Sequence, residues 1–137
     1  MNKEELKQLI REILQEQNES GVKLRKLPQI AVSPGDKLDT GNPDHQVYTH
    51  DIFTLEESPR LGAGIREMRA TEFPWHLGYD EIDYVIEGEL TVKCGETAVT
   101  AKAGEVILIP KGSDIFFSVP TQARFLYVTY PADWQKQ

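Results

Sequence analysis

After residue 46 the chain reads as a close succession of short β segments. They are rich in Val, Ile, Tyr and Phe, alternate or run apolar, and occupy 47–53, 63–69, 81–86, 89–94, 97–102, 105–109, 114–118 and 124–130. Turn residues punctuate them at Glu87-Gly88, Cys94-Gly95-Glu96, Ala103-Gly104 and Pro110-Lys111-Gly112-Ser113. Strands this short and numerous cannot stand alone. They bury their apolar faces only by folding onto one another, as a sandwich or barrel. No internal repeat or low-complexity tract interrupts them.

One stretch has a different period. Leu6, Leu9, Ile10, Ile13 and Leu14 recur at spacings of three and four, which predicts a helix over 3–17 with one apolar stripe. Glu4, Lys7, Arg11, Glu12 and Gln15 fill its other side, and Asn18-Glu19-Ser20-Gly21 breaks the pattern. A helix of this length is marginal alone in water, so the stripe needs a partner. Its own barrel, a second copy or another protein all qualify. A membrane surface fits least, since the polar side mixes acids with bases. Residues 33–46, with Ser33-Pro34-Gly35-Asp36 and Gly41-Asn42-Pro43-Asp44, read as a surface loop. The expected division is therefore a helix and linker over 1–20 and a single barrel over 21–137.

The 137 residues suit one core without disulfide staples, and the single cysteine, Cys94, points to a reducing compartment. A net charge of −7 disfavours phosphate backbones and anionic lipid. No apolar run is long enough to span a bilayer, and charges interrupt the N-terminus as they would not in a secretory signal. The expectation is a soluble, cytoplasmic protein without nucleic-acid or membrane partners.

Two stretches carry a finer signal: Trp75-His76-Leu77-Gly78-Tyr79-Asp80-Glu81 through Gly88, and Gly104 through Pro110-Lys111-Gly112. They resemble the two cupin motifs. Glu81 and Gly88 match the first motif's E and G, and Gly104, Pro110 and Gly112 match the second's G and P-x-G. The resemblance implies an all-β, RmlC-like jelly-roll barrel with a short N-terminal amphipathic helix. The metal-binding positions depart from the cupin pattern. Trp75 and Leu77 stand at the H-x-H sites, Ile115 at the later histidine and Val119 at the asparagine. A first-row transition metal needs three or four N, O or S ligands, and one glutamate cannot supply them. No usual cupin metal is expected. His45, His50 and His76 are the only imidazoles, and a site assembled from them is less expected than three solvated side chains.

Strand alternation puts Glu81, Asp83 and Val85 on one side and Ile82, Tyr84 and Ile86 on the other. By the cupin comparison the Glu81 side faces the interior, so two carboxylates share one wall of a cavity. Burial and mutual repulsion then raise at least one of their pKa values, which suits a proton donor or acceptor. Equally, the acids pair with Arg66, Arg69 or Arg124 and only hold the barrel together. Trp75 and Tyr127 would line the same cavity.

Closer likeness lies in Gly62-Ala63-Gly64, Phe73-Pro74-Trp75, Tyr79-Asp80-Glu81-Ile82-Asp83 and Ile109-Pro110-Lys111-Gly112-Ser113. It extends to the ending Tyr127-Val128-Thr129-Tyr130-Pro131-Ala132-Asp133-Trp134-Gln135. From about residue 21 onward the chain resembles the EutQ family of ethanolamine-utilization proteins. That resemblance implies a bacterial microcompartment, with residues 3–17 docking on shell or cargo proteins. It also implies acetate kinase activity; by residue type alone, Glu81 and Asp83 would hold, through water, the Mg²⁺ that accompanies ATP, and Arg66, Lys93 or Lys111 would meet phosphates. Trp75 and Tyr127 would complete the substrate site. A non-catalytic assembly module and a binder of a small molecule such as an amine are the alternatives. A homodimer is expected, since exposed strand edges need covering.

Overall fold

The computed structural model describes the backbone of residues 1–137 and the side chains of all but 15–20. Helix α1 spans Lys3–Ser20 and is followed by six strands: β1 (Gln46–Asp51), β2 (Gly62–His76), β3 (Asp80–Cys94), β4 (Thr97–Lys102), β5 (Val106–Ile109) and β6 (Asp114–Tyr130). All pairing is antiparallel, in the order β1-β2-β6-β3-β4, with β5 on β3.

Three strands are far longer than the expected segments because they bend rather than end. The expected pairs 81–86 with 89–94, and 114–118 with 124–130, are each one strand. The segment 63–69 continues to His76. Glu87-Gly88 is not a turn but a bulge: the register of β3 on β6 shifts between Val85 and Glu87 and again between Gly88 and Thr91. Gly88 sits at φ +76, and a Cβ there would lie 2.0 Å from the Gln122 carbonyl oxygen. Only glycine permits that approach. β2 bends likewise between Arg69 and Thr71, where Ala70 adopts φ +43. A bulge sharpens local twist, so one continuous strand turns a corner and serves both halves of the barrel.

The interior is apolar and aromatic. Val47, Met68, Phe73, Leu77, Val85, Leu90, Phe117, Phe125 and Tyr127 are buried there together. The linker between α1 and β1 crosses the outside of the barrel. Arg124 holds it by donating to the Leu27 and Ile30 carbonyls at 2.9 and 2.8 Å, while pairing with Glu67 at 3.2 Å. Arg25 pins the loop after β1 through the Ile52 carbonyl and Glu57.

The helix begins with reciprocal hydrogen bonds between Asn2 and Glu5 and runs to Gly21, which takes φ +74. It is therefore three residues longer than its apolar periodicity. Its stripe does not pack on the barrel: Leu6, Leu9, Ile10, Ile13 and Leu14 are 41–53 % exposed. No helix is long and apolar enough to cross a membrane among the described residues.

Candidate functional site

The first half of β3 lies between β5 and the last turns of β6, so alternation aims every second side chain inward. Glu81 (1 % exposed), Asp83 (0 %) and Val85 point into the barrel, whereas Ile82 (44 %) and Tyr84 (41 %) stay outside. Arg66 enters from β2 and is 1 % exposed. Three ionisable side chains thus meet where a core would ordinarily be apolar.

Arg66 Nη1 donates to Glu81 Oε2 at 3.4 Å and Nε donates to Thr49 Oγ1 at 3.2 Å. The ion pair is loose, since a tight charge-assisted bond is nearer 2.8 Å. Aromatic rings surround the guanidinium: its carbon stands 4.7 Å from the Tyr127 centroid, 5.2 Å from Trp134, 5.4 Å from Phe117 and 5.7 Å from Phe125. A desolvated cation against ring faces gains electrostatic energy that partly offsets its burial.

The cluster is nonetheless not internally satisfied. Arg66 Nη2, Glu81 Oε1 and both oxygens of Asp83 are buried without a hydrogen-bond partner. With both acids ionised, neither can donate to the other. Burial, and then the neighbouring charge of Glu81, push Asp83 well above the usual carboxylate range, and Arg66 offsets this only in part. Protonated Asp83 gains an O–H, the one donor that the pair lacks. For Arg66, burial opposes the charge, but Glu81 and Asp83 outweigh it and raise the guanidinium's affinity for its proton.

Two further hydrogen bonds frame the cluster. The Tyr127 hydroxyl donates to Asp51, which fixes its ring over Arg66. Trp75 Nε1 donates to the Tyr79 hydroxyl at 2.7 Å. Burial raises both phenols above their ordinary pKa, so they serve as neutral hydrogen-bonding groups. Trp134, from the turn Trp134–Lys136, closes the ring stack against Trp75, Tyr79 and Tyr127.

The structure therefore brings together Arg66, Glu81, Asp83, Tyr127 and, one layer out, Trp75. It leaves Lys111 apart, on an exposed turn where its backbone N–H donates to Asp80. Lys93 pairs with Glu72 on the surface. Arg69 is exposed and Arg124 serves Glu67, so of the three arginines weighed for the acids only Arg66 reaches them. The interior wall expected for the two acids is packed over with side chains. The acids sit in a sealed interior, with Trp134 packed over Arg66 beside them. Asp51 carries no signal in the sequence, and Trp134 appears there only as part of the family-like ending and not as a site residue. Both lie outside the two motifs, and only the packing reveals them.

Leu77, Ile115 and Val119 at the cupin metal positions are buried among apolar neighbours, and carbon side chains do not fit a transition ion. The histidines lie apart. His45 meets Thr40, His50 meets Asp36 and His76 meets Asp114.

The family model "Ethanolamine utilisation protein EutQ" matches residues 1–136, so the likeness extends through the helix and not only from residue 21. "Acetate kinase EutQ" of Clostridioides difficile is 61 % identical over 118 residues, covering 86 % of this chain and 75 % of that protein. Its namesake in Salmonella typhimurium is 47 % identical over 95 residues, 69 % of this chain but only 42 % of that protein's length. Among solved structures, the Clostridium difficile EutQ protein superposes with TM-score 0.84 at 61 % identity over 86 % of each chain. A cupin domain of Schizosaccharomyces pombe Cnp3, at 18 % identity and TM-score 0.58 over 82 % of this chain and 77 % of that one, shares the fold alone.

Proposed function

The chain belongs to the EutQ family of ethanolamine utilisation proteins, and from that premise we propose that it transfers a phosphoryl group between acetyl phosphate and adenine nucleotide at the Arg66–Glu81–Asp83 cluster. In the direction of ATP formation, a terminal oxygen of ADP attacks phosphorus. The bond from phosphorus to the acetyl oxygen breaks, and acetate leaves. Such transfers rest on positioning and charge neutralisation rather than on covalent chemistry by the protein.

The observation that carries this reading is the set of four unpartnered polar atoms buried together in the barrel. Holding them there costs stability, and they are of the right kinds. Arg66 Nη2 is an unused donor for a phosphoryl oxygen. Glu81 Oε1 and the Asp83 oxygens are unused acceptors for the water shell of the Mg²⁺ that accompanies the nucleotide. Glu81→Gln keeps shape and removes charge. It should lower ATP formation from acetyl phosphate and Mg–ADP at least a hundredfold while circular dichroism stays unchanged. Undiminished ATP formation would reject the assignment.

A second reading is favoured by the imbalance among those atoms, three acceptors to one donor. A small cation, such as the ammonium of ethanolamine, satisfies acceptors that an anion does not. Calorimetry with ethanolamine hydrochloride that detects no binding disposes of it.

We also place the protein at a bacterial microcompartment, with α1 as the docking element. The exposed stripe from Leu6 to Leu14 suits a helix laid in an apolar groove. Removing residues 1–20 should leave the barrel folded and abolish co-sedimentation with shells. For self-association, the outer side of β3, β5 and β6 is the better candidate than strand edges. Ile82, Tyr84, Val106 and Leu108 are exposed there in one neutral patch on a chain of charge −7. Sedimentation equilibrium of Leu108→Glu should shift toward the monomer.

A further inference from the structure

Residues beyond β6 turn back across the barrel mouth and drive Trp134 into it. We propose that the turn from Pro131 to Gln137 is a displaceable stopper. Swinging it outward uncovers the Arg66–Glu81–Asp83 cluster and admits the small reactant, and closing it excludes water. The inference builds on the phosphoryl-transfer reading and concerns how that site is reached.

The cluster is sealed, so something must move before any ligand meets it. Three of the four rings around Arg66 belong to Phe117, Phe125 and Tyr127, which β6 holds between β2 and β3. Those rings cannot leave without breaking the sheet. Trp134 is the fourth, and it lies outside any strand.

The way the turn is held suits release. Its hydrogen bonds close on itself: Lys136 N–H donates to the Asp133 carbonyl, Gln137 N–H to the Trp134 carbonyl, and the Gln137 side chain to Asp133. A single bond, from the Thr129 hydroxyl to the Pro131 carbonyl, ties its base to β6. Trp134 itself meets the barrel through ring contacts with Trp75, Tyr79 and Tyr127, at centroid separations of 6.3, 5.8 and 5.7 Å, and with the Arg66 guanidinium. The turn can thus depart as a preformed unit without opening one sheet hydrogen bond.

Its outer side already borders solvent. A cleft of about 230 Å³ lies between the turn and the end of β1, lined in part by Asp51, Leu55, Asp133 and Trp134. Asp51, which anchors the Tyr127 hydroxyl, stands at this cleft. The ring over Arg66 therefore stays in place when Trp134 withdraws, and the uncovered cluster keeps its shape.

A reversible lock tests this. A Cβ at position 78 would stand 3.3 Å from the Gln137 Cβ and 3.0 Å from the Gln137 carbonyl carbon, so a shift of a few tenths of an ångström in the last residue brings the pair into the range that a disulfide bridges. Gly78→Cys/Gln137→Cys, in a Cys94→Ser background, therefore staples the stopper shut when oxidised. Two readings are taken from the oxidised and the reduced protein. One is ATP formation from acetyl phosphate and Mg–ADP. The other is acrylamide quenching of Trp134 in a Trp75→Phe copy, where it is the sole tryptophan.

Oxidation should lower turnover and the quenching constant at least tenfold, and a thiol reductant should restore both. Since the two forms are one polypeptide, recovery on reduction separates locking from misfolding. Equal quenching in both forms, or measurable ATP formation that is equal in both, overturns the stopper. Reversible loss of quenching without ATP formation by either form or by the unaltered chain upholds the stopper and defeats the kinase reading. In the unaltered chain, the amides of Lys136 and Gln137 should exchange at least a hundredfold faster than those of Phe125 and Tyr127. Equal protection would mean that the turn opens only when the barrel unfolds, and would also overturn the proposal.

Discussion

Arg66→Met is the sharpest probe of what the buried cluster costs and what holds it. Methionine keeps an unbranched, polarisable chain against the four rings, so the change removes charge more than volume. What it removes is the cation that the structure sets beside Glu81 at 3.4 Å, and with it the offset to Asp83. Breaking a buried pair from one side costs about 3–5 kcal/mol, because the remaining charge is left uncompensated. In a chain of this length each kcal/mol corresponds to about 3–5 °C in Tm. Glu81→Met alone should cost less, since Asp83 remains to pair with Arg66. The double variant should be milder than the sum, with a coupling of at least about 1.5 kcal/mol, in the range measured for close charge pairs. Urea unfolding at pH 7, followed by the fluorescence of Trp75 and Trp134, reads all four corners of the cycle. Additivity within about 0.5 kcal/mol, or a loss under about 1 kcal/mol for Arg66→Met, refutes the account of the cluster as one electrostatic unit.

Asp83 is raised above its ordinary 3.8, so between that value and its folded value the native state binds the extra proton and stability falls as pH rises. Asp83→Asn removes this slope and gives the pair a permanent donor. It should stabilise the fold at pH 7 by about 1–3 kcal/mol, the typical penalty of a buried unpartnered polar group, and a thermal scan showing destabilisation counts against it. Gly88→Val places a branched side chain at φ +76 with its Cβ against the Gln122 carbonyl; the expected loss is about 3 kcal/mol or more, and a Tm within about 2 °C of the parent contradicts the bulge assignment. Ala70→Gly relieves φ +43 in β2 but adds backbone entropy, for a net gain of a few tenths to about 1 kcal/mol; a loss of stability shows that the strain is absent.

Strand parity made the site's inner wall legible. Once 81–86 reads as a strand, Glu81 and Asp83 must face one way, and they do. The two bend points were not legible, because a glycine in a strand pattern marks a bulge and a turn alike. At Gly88 the choice was decided by Gln122, far along the sequence, whose carbonyl approaches it from β6. Ala70 gave no signal, since a positive φ at alanine follows from its partners' register. The arginine partner was narrowed to three and then settled by pairing. Arg66 lies opposite Phe125, one position from Arg124, so neighbouring parity sends Arg66 inward and Arg124 out to Glu67. Trp134 follows the last strand in an aperiodic segment, and no rule of alternation says that such a residue returns to the core.

The protonation of Asp83 also separates the two readings of the ligand. With a proton on Asp83, the cluster holds one positive and one negative charge and is balanced inside the barrel. A cation arriving at the acceptor oxygens favours ionised Asp83 and drives that proton out. An anion arriving at Arg66 competes with the acids for their cation and favours the protonated form. Calorimetry just above the usual carboxylate range, in two non-coordinating buffers whose ionisation heats differ widely, counts protons moved on binding. Mg²⁺ or ethanolamine hydrochloride bound at the cluster should release up to one proton, and Asp83→Asn should abolish the release. Acetyl phosphate without metal should release none. A proton release that persists in Asp83→Asn would have to come from another group, and the cluster would no longer be where the ligand binds.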